Sequence, residues 1–292
     1  MKKILISVPI LLALGSALFF GYKHSAEETQ KDYIHYDWAK NKLWDDGMAE
    51  VALYEATKEI YGKSRPFEYV YILVKEEFNK AYRVKTDDYS REDLYSVMKI
   101  NKFCRVETLA YPYHFLTSVF MHRDNPESLH KLSHTSQEWC GTTSKQFLEK
   151  GNKYQYDYMS YFDGEGSGQA KIEQGPWFED QLSYSLRTLN FTDGLEFDIL
   201  LYPTQVNNKA ELPKPVKAHV RVMKSNPGTE LEGLISDLIQ EPWKVIVAKD
   251  NQESLTYWIN NTYPNYILKM ESTDGRSLLL KEIKRDKYWD YE

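Results

Sequence analysis

Cysteine is nearly absent: Cys104 and Cys140 are the two in 292 residues. That scarcity excludes a disulfide-dense scaffold and any zinc motif built on paired cysteines. Glycine is sparse too, and three of the 14 glycines fall in "DGEGSGQA", Asp163 to Ala170. A phosphate cradle needs a glycine turn feeding a helix N-terminus, with a lysine and a hydroxyl in register. Polar residues and "GPW" follow here, so a flexible loop is expected. No H-E-x-x-H helix and no G-x-S-x-G elbow occurs. Basic residues are outnumbered, 37 to 43, for a net charge of −6. Phosphate neutralisation needs concentrated Lys and Arg, so no nucleic-acid partner is expected.

What is present points to export. Lys2 and Lys3 precede "ILISVPILLALGSALFFGY", Ile4 to Tyr22, a run of 19 residues without charge. Such a run is long enough to span a bilayer. A small-x-small site at Gly15-Ser16-Ala17 is followed by bulky Leu18-Phe19-Phe20, and His24-Ser25-Ala26 is a poorer alternative. Residues 1–26 are therefore expected to be an uncleaved signal anchor or, failing that, a signal peptide. Either way the positive-inside rule sends the rest across the membrane. The expected location is the cell envelope, anchored in the inner membrane through residues 4–22 and facing the periplasm, or free in the periplasm after cleavage. Residues 27–45 read as a polar linker or short helix.

Beyond Asp46-Gly47, a turn pair, the pattern is one of strands. "FEYVYILVKEEF" places Phe67, Tyr69, Tyr71 and Leu73 on one face and Val70, Ile72 and Val74 on the other, as in a strand covered on both sides. "YPYHFLTSVFMH" keeps Tyr111, Tyr113, Phe115, Val119 and Met121 in phase. Hairpin strands follow, broken at 149–152. The second half alternates Leu195, Phe197, Ile199 and Leu201, then runs through "AHVRVM", "WKVIVA", "LTYWINN", "NYILKMES" and "RSLLLKEIKR", with a hairpin signal at Asp274-Gly275. One helix is expected over 229–240, on an apolar stripe with a Thr229/Glu232 capping box. The 23 tyrosines against 12 phenylalanines suit strands with a wet edge. The expected fold is mainly β: antiparallel curved sheets or half-barrels in two packed units, 46–165 and 166–292. A seam is expected near 163–177, with one or two short helices and an N-terminal membrane helix in front.

Chemistry is harder to find. Cys140 is the candidate nucleophile in "HTSQEWCG", but a thiol needs a base within hydrogen-bond reach. His134 lies six residues away, roughly 20 Å along a strand. The alternation sends Trp139 to one face, expected to fill a core, with Cys140 before a turn at Gly141. Cys140 is expected either to stay a free thiol or to pair with Cys104. His122, His130 and His134 can gather around a hairpin, but no metal-ligand spacing is present, and neither metal nor cofactor is expected. The carboxylate pairs Asp45-Asp46, Glu76-Glu77 and Asp87-Asp88 read as solvated turns and faces. Arg187, within "LSYSLRTLNF", is expected to pair with a carboxylate such as Asp180 or Glu196, or else to hold an anionic ligand group. Trp177 and Trp258 are candidates for lining an apolar cleft.

Three stretches, "LWDDGMAEVALYEATKEIYG", "YPYHFLTSVF" and "SQEWCG", resemble hallmark segments of an uncharacterised exported group from Bacteroidetes-type bacteria. Its marker residues here are Trp44, Gly47, Glu50, Ser136, Gln137, Glu138, Trp139, Cys140 and Gly141. Some members carry the name septum formation inhibitor Maf. The S-x-S-P-R-R motif of the Maf nucleotide pyrophosphatases is absent, so no such activity is implied. The second half is similar to a periplasmic family with the pattern D-x-L-S-x-x-x-R, matched by Asp180, Leu182, Ser183 and Arg187, then Gly194 and Trp258-Ile259. That resemblance implies a curved antiparallel sheet like the half-barrels of periplasmic lipid carriers. The expected function is non-enzymatic: an envelope protein that binds an apolar or glycan-bearing ligand in a curved sheet. The alternatives are a thiol enzyme or hydrolase using Cys140, or a structural scaffold for envelope partners.

Overall fold

The computed structural model describes residues 30–226, 231, 234 and 241–291. The expected anchor at 4–22 and most of the expected helix at 229–240 lie outside the described residues. No described helix is long and apolar enough to cross a membrane.

The strands are β1 (Ala49–Ile60), β2 (Lys63–Asn79), β3 (Leu94–Val106), β4 (Tyr113–His122), β5 (Leu129–Glu138), β6 (Gly141–Lys150), β7 (Lys153–Met159) and β8 (Ser167–Glu173). They continue with β9 (Trp177–Phe178), β10 (Glu196–Tyr202), β11 (Val216–Lys224), β12 (Trp243–Lys249), β13 (Ser254–Ile259), β14 (Ile267–Ser272) and β15 (Ser277–Asp286). All 15 join one sheet, in the order β8-β7-β6-β5-β4-β3-β2-β1-β15-β14-β13-β12-β11-β10-β9. Every pairing is antiparallel except the short β9–β10 contact. The sheet is open, with β8 and β9 at its ends.

The two halves of the chain are thus two arms of a single sheet, joined where β1 pairs with β15. In the β7–β8 pair Met159 faces Ser167 and Lys153 faces Glu173, and within the expected seam the chain then passes from this end of the strand order to β9 at the other. Chain reversals use backbone that few residues tolerate. Tyr61 and Gly62, both with positive φ, make the two-residue turn between Ile60 and Lys63. That is the geometry which matches strand twist in tight hairpins. Asp274-Gly275 turns β14 into β15, with Gly275 at φ 85.

Alternation in the long strands follows the sequence pattern. Tyr113, Phe115, Val119 and Met121 of β4 are all buried. The interior holds two main apolar cores, each drawing on both arms. One gathers Val220, Val245, Val247, Leu255 and Leu280 from β11 to β15. The other gathers Met98, Val119, Leu132, Phe147 and Tyr156 from β3 to β7. In the second core Phe147 stacks on Tyr156 at 4.3 Å between ring centres.

The expected linker is structured from Ile34 onward. Two short 3-10 helices, Trp38–Lys40 and Lys42–Asp45, bury Trp38, Ala39 and Trp44. The stretch after β9 crosses between the cores as a strap: a 3-10 turn at Glu179–Gln181, the helix α1 (Leu182–Ser185) and a 3-10 turn at Leu186–Thr188. Every residue in it is buried. Its Leu182 and Leu186 join the β11–β15 core, while Tyr184 and the preceding Phe178 join the β3–β7 core. The strap carries acids and a base into the interior, and each needs a partner there.

Candidate functional site

The buried polar groups of the strap gather over the middle of the sheet. Here β1, β2, β3 and β4 meet β13, β14 and β15 around a cavity of about 70 Å³. One water needs about 10–15 Å³ on this measure, so the space suits several waters or one compact chemical group. Its walls include Tyr69, Tyr71 and Tyr257, the aliphatic Leu255 and Met270, and Ser183 of the strap. Its charged lining is Lys58, Lys102, Glu179, Asp180 and Arg276.

The acids are already partnered. Glu179 takes Lys249 at 2.8 Å and Arg276 at 2.5 Å. The Arg276 contact is an ion pair without the alignment of a hydrogen bond, since Oε1 of Glu179 has no hydrogen-bond partner. Burial pulls the Arg276 pKa down, but Glu179 and Asp274 outweigh it and the net movement is upward. Asp180 accepts from the Thr204 hydroxyl at 2.9 Å and the Gln205 amide at 2.8 Å.

The two lysines are in a different position. Lys102 donates to the Asp180 carbonyl at 2.6 Å and sits 4.9 Å from the Tyr71 ring centre. Lys58 donates to the Val206 carbonyl and lies 4.8 Å from the Phe115 ring centre. Neither forms an ion pair with a described carboxylate. Burial pulls both ammonium groups down to about 8. Lys58 is half-buried and Lys102 buried; a further buried lysine, Lys145, donates to the Gln205 carbonyl at 2.6 Å, and burial takes it to about 7. Beside it His134 is held by Thr117 and the Asn207 carbonyl, with its pKa driven well down by burial and then by Lys145.

The cavity also has hydrogen-bonding capacity to spare. The hydroxyls of Tyr69, Tyr71 and Tyr257 make no hydrogen bond among the described residues. Burial pushes the Tyr69 and Tyr71 phenols well above their ordinary pKa. Ser183 Oγ is buried without a partner. The result is a small chamber with surplus buried positive charge and uncommitted donors.

The residues singled out from sequence lie elsewhere. Arg187 is gripped by Glu50 in a bidentate pair, at 2.7 and 2.8 Å, and also donates to the Pro264 carbonyl. Its partner is therefore Glu50 rather than Asp180 or Glu196, because the strap crosses beside β1 there. Burial lowers the Arg187 pKa, yet the Glu50 charge outweighs it and the net movement is upward. Trp177 is buried 6.4 Å from Phe197, and Trp258 lies between the ammonium groups of Lys244 and Lys269. Neither tryptophan lines the chamber.

The "HTSQEWCG" stretch also changes meaning. Trp139, expected in a core, is 78% exposed at the β5–β6 turn and stacks against Tyr111. The cause is the turn itself: Glu138 pairs directly with Gly141, so residues 139 and 140 form the loop. Cys140 is exposed with no described histidine bonded to it, whereas Cys104 is buried, and the two thiols are free. Of the remaining markers, Trp44 and Ser136 are buried and Gly47 turns the chain at φ 73. Glu138 accepts from Asn208 at 3.0 Å, and Gln137 is exposed beside it. The histidine grouping expected around a hairpin forms in part. His122 and His130 come together with Glu149, and His134 does not join them.

Sequence reasoning missed Lys58, Lys102 and Glu179. The one available signal was that each sits at an inward phase of its segment, where a charge must find a partner.

No protein-family model and no curated protein matches this chain. Among solved structures it is similar to a β-barrel-like protein of domain of unknown function DUF1849 from Brucella abortus. The identity is 10%, the coverage 82% of this chain and 98% of that one, and the TM-score 0.50. It also matches a DUF1089 family protein from Pseudomonas aeruginosa at 10% identity, over 66% of this chain and 87% of that one, with a TM-score of 0.38. At such identities a likeness concerns the fold alone. The fold is mainly β and resembles that of this β-barrel-like protein.

Proposed function

We propose that this protein is a non-enzymatic binding protein of the cell envelope. The chamber under the strap takes a compact anionic group, a carboxylate or phosphate, carried on a larger apolar or glycan-bearing envelope molecule. One observation carries the reading: Lys102, buried, and Lys58, half-buried, donate to backbone carbonyls without an ionic partner among the described residues, in a chamber also lined by three tyrosines with uncommitted hydroxyls. A buried ammonium is costly unless a negative charge answers it. An anion between the two lysines would answer both, and the tyrosine hydroxyls would donate to its oxygens. The small volume favours a head group inside the chamber with the rest of the ligand at its mouth. The envelope location rests on Lys2, Lys3 and the uncharged run at 4–22. The family resemblance of the three motifs belongs with that same reading.

The test uses the full-length chain extracted from membranes. Native mass spectrometry should find a bound acidic species, and calorimetric titration with phosphatidic acid and with a uronic-acid oligosaccharide identifies its class. A hydrogen bond to a charged group is worth about 1.5–3 kcal/mol. Lys58→Met and Lys102→Met should therefore each weaken binding by about 10–100-fold. A double variant that keeps the same bound species at the same affinity refutes the proposal.

A further inference from the structure

On the first arm, His122 at the end of β4, His130 on β5 and Glu149 on β6 bring their ligand atoms within 4.8 Å of one another. His122 Nε2 is 2.6 Å from Glu149 Oε2, and His130 Nδ1 is 3.3 Å from the same oxygen. We propose that these three side chains form a binding site for one divalent transition-metal ion of the zinc type.

Three features favour an ion over a plain histidine–carboxylate hydrogen-bond cluster. The first is donor type. Two imidazole nitrogens and one carboxylate oxygen are a ligand set for borderline ions such as Zn²⁺, and a three-ligand set leaves a position open. The second is spacing. Bonds of about 2.0–2.2 Å in a tetrahedral set require ligand atoms about 3.4 Å apart. The observed separations straddle that value, so side-chain rotations of an ångström or so admit the ion. The third is the outer shell. The far nitrogen of His130, Nε2, is 2.8 Å from the Tyr95 hydroxyl. With that nitrogen protonated and donating to Tyr95, the Nδ1 lone pair faces the site, as metal-bound histidines require.

The surroundings define what the open position meets. The cluster lies in the wall of a cleft of about 850 Å³ that is also lined by the cations Lys40, Lys80, Arg83 and Arg123 and by the acids Asp45 and Asp124, leaving the cations in excess. Arg123 is committed to Asp45, and Arg83 holds the Glu149 carbonyl. A bare cation would feel these charges as repulsion. A metal bearing an anionic fourth ligand would not, because Lys80 and Arg83 stand beside that ligand. The ion would therefore be held with an anion, such as phosphate or a carboxylate, on its open face.

A local backbone defect assembles the site. The β4–β5 register slips so that Phe120 faces Lys131 and Met121 faces Leu129, leaving His130 as the extra residue of a bulge. A bulge re-aims one side chain out of the strict alternation, here toward Phe78 and Tyr95.

The full-length chain, without a polyhistidine tag, is stripped with chelator and titrated with Zn²⁺, then with Co²⁺ as a spectroscopic probe. One ion per chain is expected, with a low-symmetry visible Co²⁺ spectrum. Glu149→Gln keeps the side-chain size and His122→Ala alters a half-buried position at the end of β4, so neither should prevent folding; circular dichroism checks this. Each should weaken binding by at least about 100-fold. Tyr95→Phe, which leaves all three ligands in place, should weaken it by about 10–100-fold. Inorganic phosphate should shift the Co²⁺ spectrum, and no shift overturns the open position. No binding at micromolar metal overturns the site. So does one ion bound with unchanged affinity and spectrum in Glu149→Gln and His122→Ala.

Discussion

Removing the charge of Glu50 should be among the most damaging single changes in this protein. Glu50 and Arg187 are each about 5% exposed, and their two contacts of 2.7 and 2.8 Å form a parallel fork. The guanidinium is also tied to the Pro264 carbonyl and packed 5.2 Å from the Trp38 ring centre. It cannot swing out to water without breaking those contacts. Glu50→Gln therefore strands a buried cation, and losing one partner of such a pair costs about 3–5 kcal/mol. For a domain of this size each kcal/mol lowers the melting temperature by about 2–4 °C, so a fall of roughly 6–20 °C is expected. The companion double variant, Glu50→Leu with Arg187→Met, removes both charges at similar volume. It should recover most of the loss, because the pair's own desolvation cost vanishes with it. Urea unfolding followed by tryptophan fluorescence, with the m-value compared between variants, measures both effects. A Glu50→Gln loss below about 1 kcal/mol, or a double variant no better than the single, would refute the reasoning that this pair is desolvated and mutually dependent.

Lys58 and Lys102 hold folded-state pKa values near 8 against 10.5 for an unburied lysine. Between those values the unfolded chain binds more protons, so stability should rise with pH; that gain is complete above about 10.5 and lost as pH falls through about 8. Lys102→Met should flatten the rise in denaturation midpoint between pH 8 and 10. Thiol reactivity should divide the cysteines. Cys140 is exposed, whereas burial raises Cys104 to about 12, so one thiol per native chain should react with a disulfide reagent and two after denaturation. Phe147→Ala empties the stack with Tyr156 and the contact with Phe178, and should cost about 3–5 kcal/mol in chemical denaturation.

The amino-acid sequence by itself determined most of the strands, though not β3, β8 or β9. β4 and the run from β10 to β15 follow from period-two alternation and glycine turns, which act over a few residues. It also carried the expectation that Arg187 meets an anionic group, a carboxylate of the chain or one of a ligand, since a buried guanidinium needs one. Tertiary structure alone decided which carboxylate. Glu50 and Arg187 are 137 residues apart, and they meet because β1 pairs with β15 while the strap crosses beside it. The lysine chamber is non-local in the same way, built from β1, β3 and the strap. That His130 joins His122 and Glu149 while His134 stays apart was hidden, because a bulge at His130 broke the alternation on which the reading depended. Trp139 escaped because a two-residue turn placed it outside the strand altogether. Local patterns specify which residues extend and which turn; the order in which the strands pair specifies which charges must share an interior.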